Sequence, residues 1–220
     1  MKNADLIPKA HVERLAEIVM LSWRILKTRF IQGRHRIPTE APFQHYFGHI
    51  LSVVGETYCV GRDDQFVVDL EERVPDIKQK NKYIDIVCGF QKSDVYCAIE
   101  LKFKKKSQGA QDFGRIDSYV DIEAVELAIE KKNYSMGFFF IITDSTAYVN
   151  PSRIGVGTFF PMHDGATISP NIFSYPKCKG REDVVVTLRN SYSFSWETCK
   201  KGEDDWYFMS LPVKKPEPFV

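Results

Sequence analysis

The chain lacks a long hydrophobic segment, paired cysteines and a large net charge of either sign. Its longest apolar run, MGFFFII at 136–142, is far shorter than the about 20 residues that a membrane-spanning helix needs. Glu13 and Glu17 interrupt the N-terminal stretch where a signal peptide would need an apolar core. The five cysteines are widely spaced and form no CxxC pair. We therefore expect a reduced, cytoplasmic protein without structural zinc.

The charge balance excludes a generic polybasic binder of nucleic acids. The 30 basic and 29 acidic residues leave a net charge of +1, whereas such binders neutralise many phosphates at once. A content of 27% charged and 44% apolar residues excludes a disordered tail, a collagen-like rod and a disulfide miniprotein. A length of 220 residues suits one large domain, which we expect to span 1–220.

Hydrophobic periodicity predicts an α/β fold with a mixed central β-sheet flanked by helices. The predicted helices are Pro8–Phe30, Thr39–Gly55 and Asp117–Lys132, and the predicted strands are Gln65–Val74, Tyr83–Phe90, Val95–Phe103 and Tyr134–Thr143. We expect the core to cover about 38–145, with a helix and a basic loop at 1–37 before it. The strand-like runs Asp183–Leu188 and Trp206–Leu211 predict a β-rich decoration at 146–220.

The segment 82–106, KYIDIVCGFQKSDVYCAIELKFKKK, predicts a hairpin that brings two carboxylates together. A tight turn centred on Lys92 and Ser93 makes Phe90 face Val95 and Asp85 face Glu100. Directly opposed residues have Cβ atoms about 4.5–5.5 Å apart, and like charges there are destabilising. A divalent cation would neutralise them, and oxygen ligands from one or two carboxylates suit Mg²⁺.

A lysine shares the face of these carboxylates. Glu100 and Lys102 are two residues apart on the predicted strand, so both point to one side, while Ile99, Leu101 and Phe103 point to the other. In metal-assisted phosphodiester hydrolysis, a cation polarises the phosphoryl oxygen and activates water. A nearby ammonium group stabilises the developing charge or orients that water.

The same segment carries most of the local positive charge. From Arg73 to Lys106, nine basic residues face four acidic ones, a local excess of +5. A polyanion would dock at such a concentration of charge. The predicted nucleic-acid contacts are Lys78, Lys80, Lys82, Lys104, Lys105 and Lys106.

Asp85, fourteen intervening residues and then Glu100-Leu101-Lys102 at the end of an apolar strand resemble the active-site signature of the PD-(D/E)XK nuclease superfamily. The resemblance implies a restriction-endonuclease-like core, dependence on Mg²⁺, for which Mn²⁺ can substitute, and cleavage of DNA phosphodiesters. It implies that Asp85, Glu100 and the Leu101 carbonyl hold the metal and that Lys102 is catalytic. Two active sites suit the cutting of a duplex, so a homodimer is a further expectation.

Many members of this superfamily carry one more catalytic acid on the helix before the hairpin. Glu40 is the best match and Glu56 the second, although Pro42 leaves the place of Glu40 open. The exonuclease branch has a Gln-x₃-Tyr motif, and Gln111 and Tyr119 are too far apart to match it.

Three other interpretations stay open. The first takes Asp85 and Glu100 as surface carboxylates on an edge hairpin, each paired with a lysine. The second is a catalytically silent nuclease-fold module that binds DNA or a protein partner. The third is an unrelated α/β interaction protein, which a separation of the two carboxyl groups beyond the reach of a shared metal would favour. The acids Asp117, Asp121 and Glu123 begin a predicted helix, where they would complement its dipole.

Overall fold

Two long helices precede a run of strands in the structure, a computed structural model that describes residues 6–78 and 80–216. The helices are α1 (His11–Ile31), α2 (Glu40–Thr57), α3 (Gln111–Lys132), α4 (Thr146–Val149) and α5 (Val156–Phe159). The strands are β1 (Phe66–Ile77), β2 (Lys80–Phe90), β3 (Val95–Lys104), β4 (Met136–Thr143), β5 (Thr167–Ile168), β6 (Asn171–Ser174), β7 (Val185–Leu188), β8 (Tyr192–Ser193), β9 (Glu197–Lys201) and β10 (Asp204–Val213). In the described part of the chain, every helix is too short or too polar to cross a membrane.

The central sheet has six strands in the order β1-β2-β3-β4-β10-β9. Its neighbours are antiparallel except β3 and β4, which run parallel because α3 carries the chain back between them. The predicted mixed sheet with flanking helices is therefore confirmed. The prediction that 146–220 only decorates the core is wrong, because β10 pairs with β4 and extends the central sheet.

Alternation along β3 divides its side chains between two hydrophobic layers. Ile99, Leu101 and Phe103 pack with α1 and α2 on one face, as predicted. Ala98 points to the other face, where α3 and the C-terminal strands pack. Glu100 and Lys102 share the face of Ala98, so both lie on the side of α3. All five cysteines of the chain are free.

The hairpin of β2 and β3 has the predicted register. Phe90 pairs with Val95, and the ladder continues to Ile86 and Ile99. The pairing ends there, one step before Asp85 and Glu100 would face each other. The two strands diverge at the carboxylates, and the hydrogen-bonding edge of β3 opens.

Helix α3 begins six residues earlier than predicted, at Gln111 instead of Asp117. Ala110, in a left-handed conformation after Gly109, precedes its first turn. Asp121 and Glu123 consequently lie in the middle of the helix and are buried. Their assignment to a helix N-terminus was wrong, since dipole effects are confined to the first turn.

Gly137 of β4 lets α3 pack closely on the sheet. A Cβ atom there would overlap Val125 Cγ1, and it would lie 2.9 Å from Ile129 Cδ1 and 3.1 Å from the Ala98 carbonyl oxygen. We expect Gly137→Ala to lower the free energy of unfolding by about 1–3 kcal/mol, because overpacking forces the helix away from the strand. Urea denaturation measures this change.

Val125→Ala supplies the matched control, since it removes the overlapping methyl group. We expect the double variant Gly137→Ala/Val125→Ala to lose less stability than the sum of the two single variants, with a coupling of at least about 0.5 kcal/mol. If the losses of unfolding free energy in the two single variants simply add, Gly137 is not needed for the close packing of α3 on β4.

Candidate active site

The carboxylates of Asp85 and Glu40 lie along the open edge of β3. Asp85 Oδ2 accepts a hydrogen bond from the Leu101 N–H at 2.7 Å, and Glu40 Oε1 accepts one from the Phe103 N–H at 3.3 Å. Buried backbone donors need partners, and β2 no longer supplies carbonyl groups beyond Ile86. Side-chain carboxylates replace them, which fixes two acids beside the strand that carries Glu100 and Lys102.

Glu100 is the most buried acid of this group, with 2% of its surface exposed. The Asp85 carboxylate lies beside it, because Asp85 Oδ2 accepts the N–H of Leu101, the next residue along β3. The Oε1 atom of Glu100 is buried without a hydrogen-bond partner in the described structure, although Lys82 Nζ lies 3.3 Å away. Burial raises the pKa of Glu100 well above its usual value, and the charges of Asp121 and Asp85 raise it further.

Asp85 is partly buried. Burial raises its pKa to about 6, against the lowering effect of the hydrogen bond from the Leu101 N–H. The raised pKa values of these two neighbouring acids show that the folded protein is less stable when both are ionised. A cation that binds both would offset that cost.

Lys102 lies in the same cluster. Its Nζ is 2.6 Å from Asp121 Oδ2 and 3.9 Å from Glu40 Oε1. Burial alone would lower the pKa of Lys102, but the carboxylates of Asp121 and Glu40 raise it above its usual value. The side chain is therefore a fixed positive charge and not a base.

Asp121 of α3 organises both lysines of the cluster. One carboxylate oxygen is 2.6 Å from Lys102 Nζ and the other is 3.0 Å from Lys82 Nζ. We did not predict Asp121 as a site residue. A signal was present, because it shares a helical stripe with the buried residues Val125 and Ala128. An acid in such a stripe needs a buried partner.

Gln44 of α2 is a second site residue that the sequence analysis missed. Its Nε2 donates to the Asp85 carbonyl oxygen at 2.7 Å and to Glu71 Oε1 at 2.8 Å. Glu71 has a φ of 55°, which is uncommon for a residue other than glycine. The two contacts tie α2 to β1 and β2 beside the Asp85 side chain.

Glu40 is the first residue of α2, the helix on which the resemblance placed it, and its carboxylate meets the open edge of β3. Glu56 lies at the other end of this 18-residue helix, about 24 Å away along its axis at 1.5 Å per residue, and is exposed. The structure therefore brings Glu40, and not Glu56, into the cluster. From here the term "acid–lysine cluster" denotes Glu40, Lys82, Asp85, Glu100, Lys102 and Asp121.

The predicted phosphate-binding lysines separate into two groups. Lys82 turns into the acid–lysine cluster and is engaged there. Lys78 pairs with Glu123 at 2.6 Å and donates to the Val185 carbonyl oxygen, so it ties β1 to the C-terminal strands instead of facing the cluster. The side chain of Lys80 lies outside the described residues.

The lysines that follow β3 stay near the surface. Lys104 Nζ is 3.7 Å from Glu40 Oε1, and Lys105 Nζ lies 5.8 Å from the centre of the Phe103 ring. Lys106 is exposed, while its backbone N–H donates to Asp144. These three residues keep positive charge at the end of β3 beside the cluster.

The interpretation of Asp85 and Glu100 as surface carboxylates on an edge hairpin is wrong. Strands β2 and β3 are the second and third of the six in the sheet, and Glu100 is buried.

The donor set fits a hard divalent cation. Asp85 and Glu100 offer carboxylate oxygens, one of them buried without a hydrogen-bond partner. The Leu101 carbonyl faces the same opening as its N–H group, because both groups of a strand residue point to one edge. Within 6–78 and 80–216, no group of three or more His, Cys, Asp or Glu side chains is arranged to hold a metal ion. The donors at this opening are instead two side chains and one backbone carbonyl.

Comparisons with protein-family models, with curated proteins and with solved structures found nothing that matches this chain.

Proposed function

We propose that the protein is a Mg²⁺-dependent DNA endonuclease that hydrolyses phosphodiester bonds. The observation that carries the proposal is the place of the Asp85 carboxylate on the Leu101 N–H, between the buried Glu100 and the positively charged Lys102 on the same strand. The predicted face of the hairpin thus has an acid pair and an ammonium group together. The resemblance to the PD-(D/E)XK superfamily supports DNA as the substrate and a restriction-endonuclease-like core as the fold.

Five of the six residues of the acid–lysine cluster have a role in this proposal. Asp85, Glu100 and the Leu101 carbonyl would hold the cation, which when bound supplies a polarised phosphoryl oxygen and an activated water. Lys102 places a positive charge where negative charge develops on the phosphate. Asp121 is a positioning residue, because it holds Lys102 through an ion pair. Glu40 orients the same lysine from the helix side.

Supercoiled plasmid DNA tests the proposal directly. We expect the natural chain to nick or linearise the plasmid with Mg²⁺ or Mn²⁺ and to leave it intact in EDTA. Glu100→Gln should abolish cleavage, since an amide is a much poorer ligand for a hard cation. Cleavage in EDTA, or equal cleavage by Glu100→Gln, would contradict it. Ultracentrifugation with and without DNA tests the expected homodimer.

A catalytically silent nuclease-fold module is the second candidate. It is favoured by the ion pairs of Lys82 and Lys102 with the acids, which offset part of the negative charge without a metal. It predicts salt-dependent DNA binding that survives Glu100→Gln and needs no metal. No plasmid cleavage under any divalent cation, with DNA binding retained, would select this function.

A further inference from the structure

The last two turns of α1 and the loop after it form an open groove of about 550 Å³. Its lining consists of Leu21, Arg24, Ile25, Thr28, Arg29, Gln32 and Arg34. Three of the seven residues are arginines and none is acidic. The groove is therefore a positively charged surface, and its residues are not part of the acid–lysine cluster.

Three arginines of this groove form no ion pair in the part of the chain that the structure describes. Arg24, Arg29 and Arg34 are exposed, and within 6–78 and 80–216 none of their guanidinium groups is in an ion pair. Lys27, between them in sequence, behaves differently, because it is buried and pairs with Glu197. The arginines therefore do not stabilise the fold through ion pairs and are available to a ligand.

Two lysines connect this groove to the acid–lysine cluster. Lys201 Nζ lies 3.6 Å from the centre of the Phe30 ring, at the end of α1. Lys105 Nζ lies over the Phe103 ring, whose centre is 6.3 Å from that of Phe30, so the two lysines lie over neighbouring rings. Lys105 follows Lys104, which is within 3.7 Å of Glu40. Positive charge thus continues from the cluster to α1.

We propose that Arg24, Arg29, Arg34, Lys105 and Lys201, together the α1 basic strip, bind backbone phosphates of the DNA that flanks the scissile bond. The inference rests on the proposed function and adds a docking surface to it. Guanidinium groups bind phosphate oxygens in a bidentate manner. Arg24 and Arg29 are about 7.5 Å apart along the helix axis at 1.5 Å per residue, so the strip reaches beyond a single phosphate.

The structure favours a nucleic acid over an anionic membrane surface as the partner. A helix that lies on a membrane inserts an exposed apolar face. The apolar face of α1, which includes Leu15, Trp23 and Leu26, is buried against α2 and the sheet. The groove itself offers only Leu21 and Ile25, both partly buried.

Binding of a short DNA duplex in EDTA, measured by fluorescence anisotropy between about 50 and 200 mM salt, tests the strip without cleavage. We expect Arg24→Gln/Arg29→Gln/Arg34→Gln in the full chain to weaken binding about tenfold or more at the middle of this range. The slope of log K against log salt should fall by about two to three. Arg62→Gln is the control, because Arg62 is exposed in the loop that packs at the opposite end of α1.

If the triple variant has the same affinity for DNA and the same salt slope as the natural chain, the α1 basic strip does not bind DNA. This result would stand even if the natural chain cleaves plasmid DNA. Loss of binding to phosphatidylserine vesicles with unchanged DNA binding would overturn the proposal in favour of a membrane. A natural chain that binds DNA through these arginines but never cleaves it would support the strip while contradicting the nuclease. The two proposals can therefore fail separately.

Discussion

A Lys102→Met chain should nick supercoiled plasmid about 10³-fold more slowly than the natural chain in the presence of Mg²⁺. Removal of one fixed group that stabilises developing charge costs about 10²–10³ in rate. In the proposed mechanism Lys102 is such a group, because Asp121 and Glu40 raise its pKa and hold its ammonium beside the acids. Initial rates of nicking, at equal concentrations of folded protein, measure the effect.

Lys132→Met is the matched control. Glu130 and Lys132 form a second acid-x-lysine sequence, but Lys132 is the last residue of α3 and pairs with Glu72 at 3.2 Å. Its removal should leave the nicking rate unchanged. A folded Lys102→Met chain that nicks at the natural rate would exclude Lys102 from the chemistry.

Lys102→Met also leaves Asp121 without its nearest partner, and a buried charge without compensation is strongly destabilising. The double variant Lys102→Met/Asp121→Asn removes both charges and separates stability from rate. We expect it to unfold at a higher urea concentration than Lys102→Met and to remain inactive. Recovery of activity together with stability would show that Lys102 is only structural.

The hairpin is the part of the site that could be predicted from the sequence. A short turn sets the register, and alternation then assigns every side chain to a face, so local information is sufficient. The ladder ends at Ile86 and Ile99, however, and no local sequence pattern predicts that the strands diverge there. It depends on α2, which places Glu40 and Gln44 beside the opening.

Long-range partners are what the sequence analysis missed. Asp121 is separated from Lys102 by nineteen positions, and its choice of partner depends on how α3 packs across the sheet. The pairing of Tyr207 with Thr143 spans a still longer stretch of chain. A signal for it existed, because the apolar run at 136–142 predicts a central strand and a central strand needs two neighbours. The predicted core supplied only one of them.

Asp85→Asn should make the protein more stable than the natural chain at neutral pH. The folded pKa of Asp85 is about 6, above the value of about 3.9 for an unfolded chain. The folded state therefore binds more protons between these two values, and stability falls as the pH rises through this window. Above about pH 6 the loss is complete and amounts to about 3 kcal/mol, at about 1.36 kcal/mol for each pKa unit.

The asparagine side chain has nearly the same shape, and its carbonyl oxygen can still accept the Leu101 N–H. It carries no charge to desolvate. The contribution of residue 85 to the free energy of unfolding should therefore not change with pH across this range in the variant. Urea unfolding of both chains at pH 4.5 and pH 7.5 measures the difference, and we expect a gain of about 3 kcal/mol for Asp85→Asn at the higher pH and of only about 1 kcal/mol at the lower pH. Asp63→Asn is the control, since this carboxylate is 83% exposed and pairs only with Lys92 on the surface.

A divalent cation should reverse the order of the two chains. Binding to the folded state stabilises it by RT ln(1 + [L]/Kd), which is about 4.1 kcal/mol at one thousand times Kd and exceeds the loss of about 3 kcal/mol. We expect Mg²⁺ to raise the unfolding midpoint of the natural chain at pH 7.5 and to leave that of Asp85→Asn unchanged, because the variant lacks one carboxylate ligand. Equal shifts in both chains would mean that the cation binds elsewhere, and an Asp85→Asn chain less stable than the natural one at pH 7.5 would mean that the Asp85 carboxylate stabilises the fold instead of serving a metal.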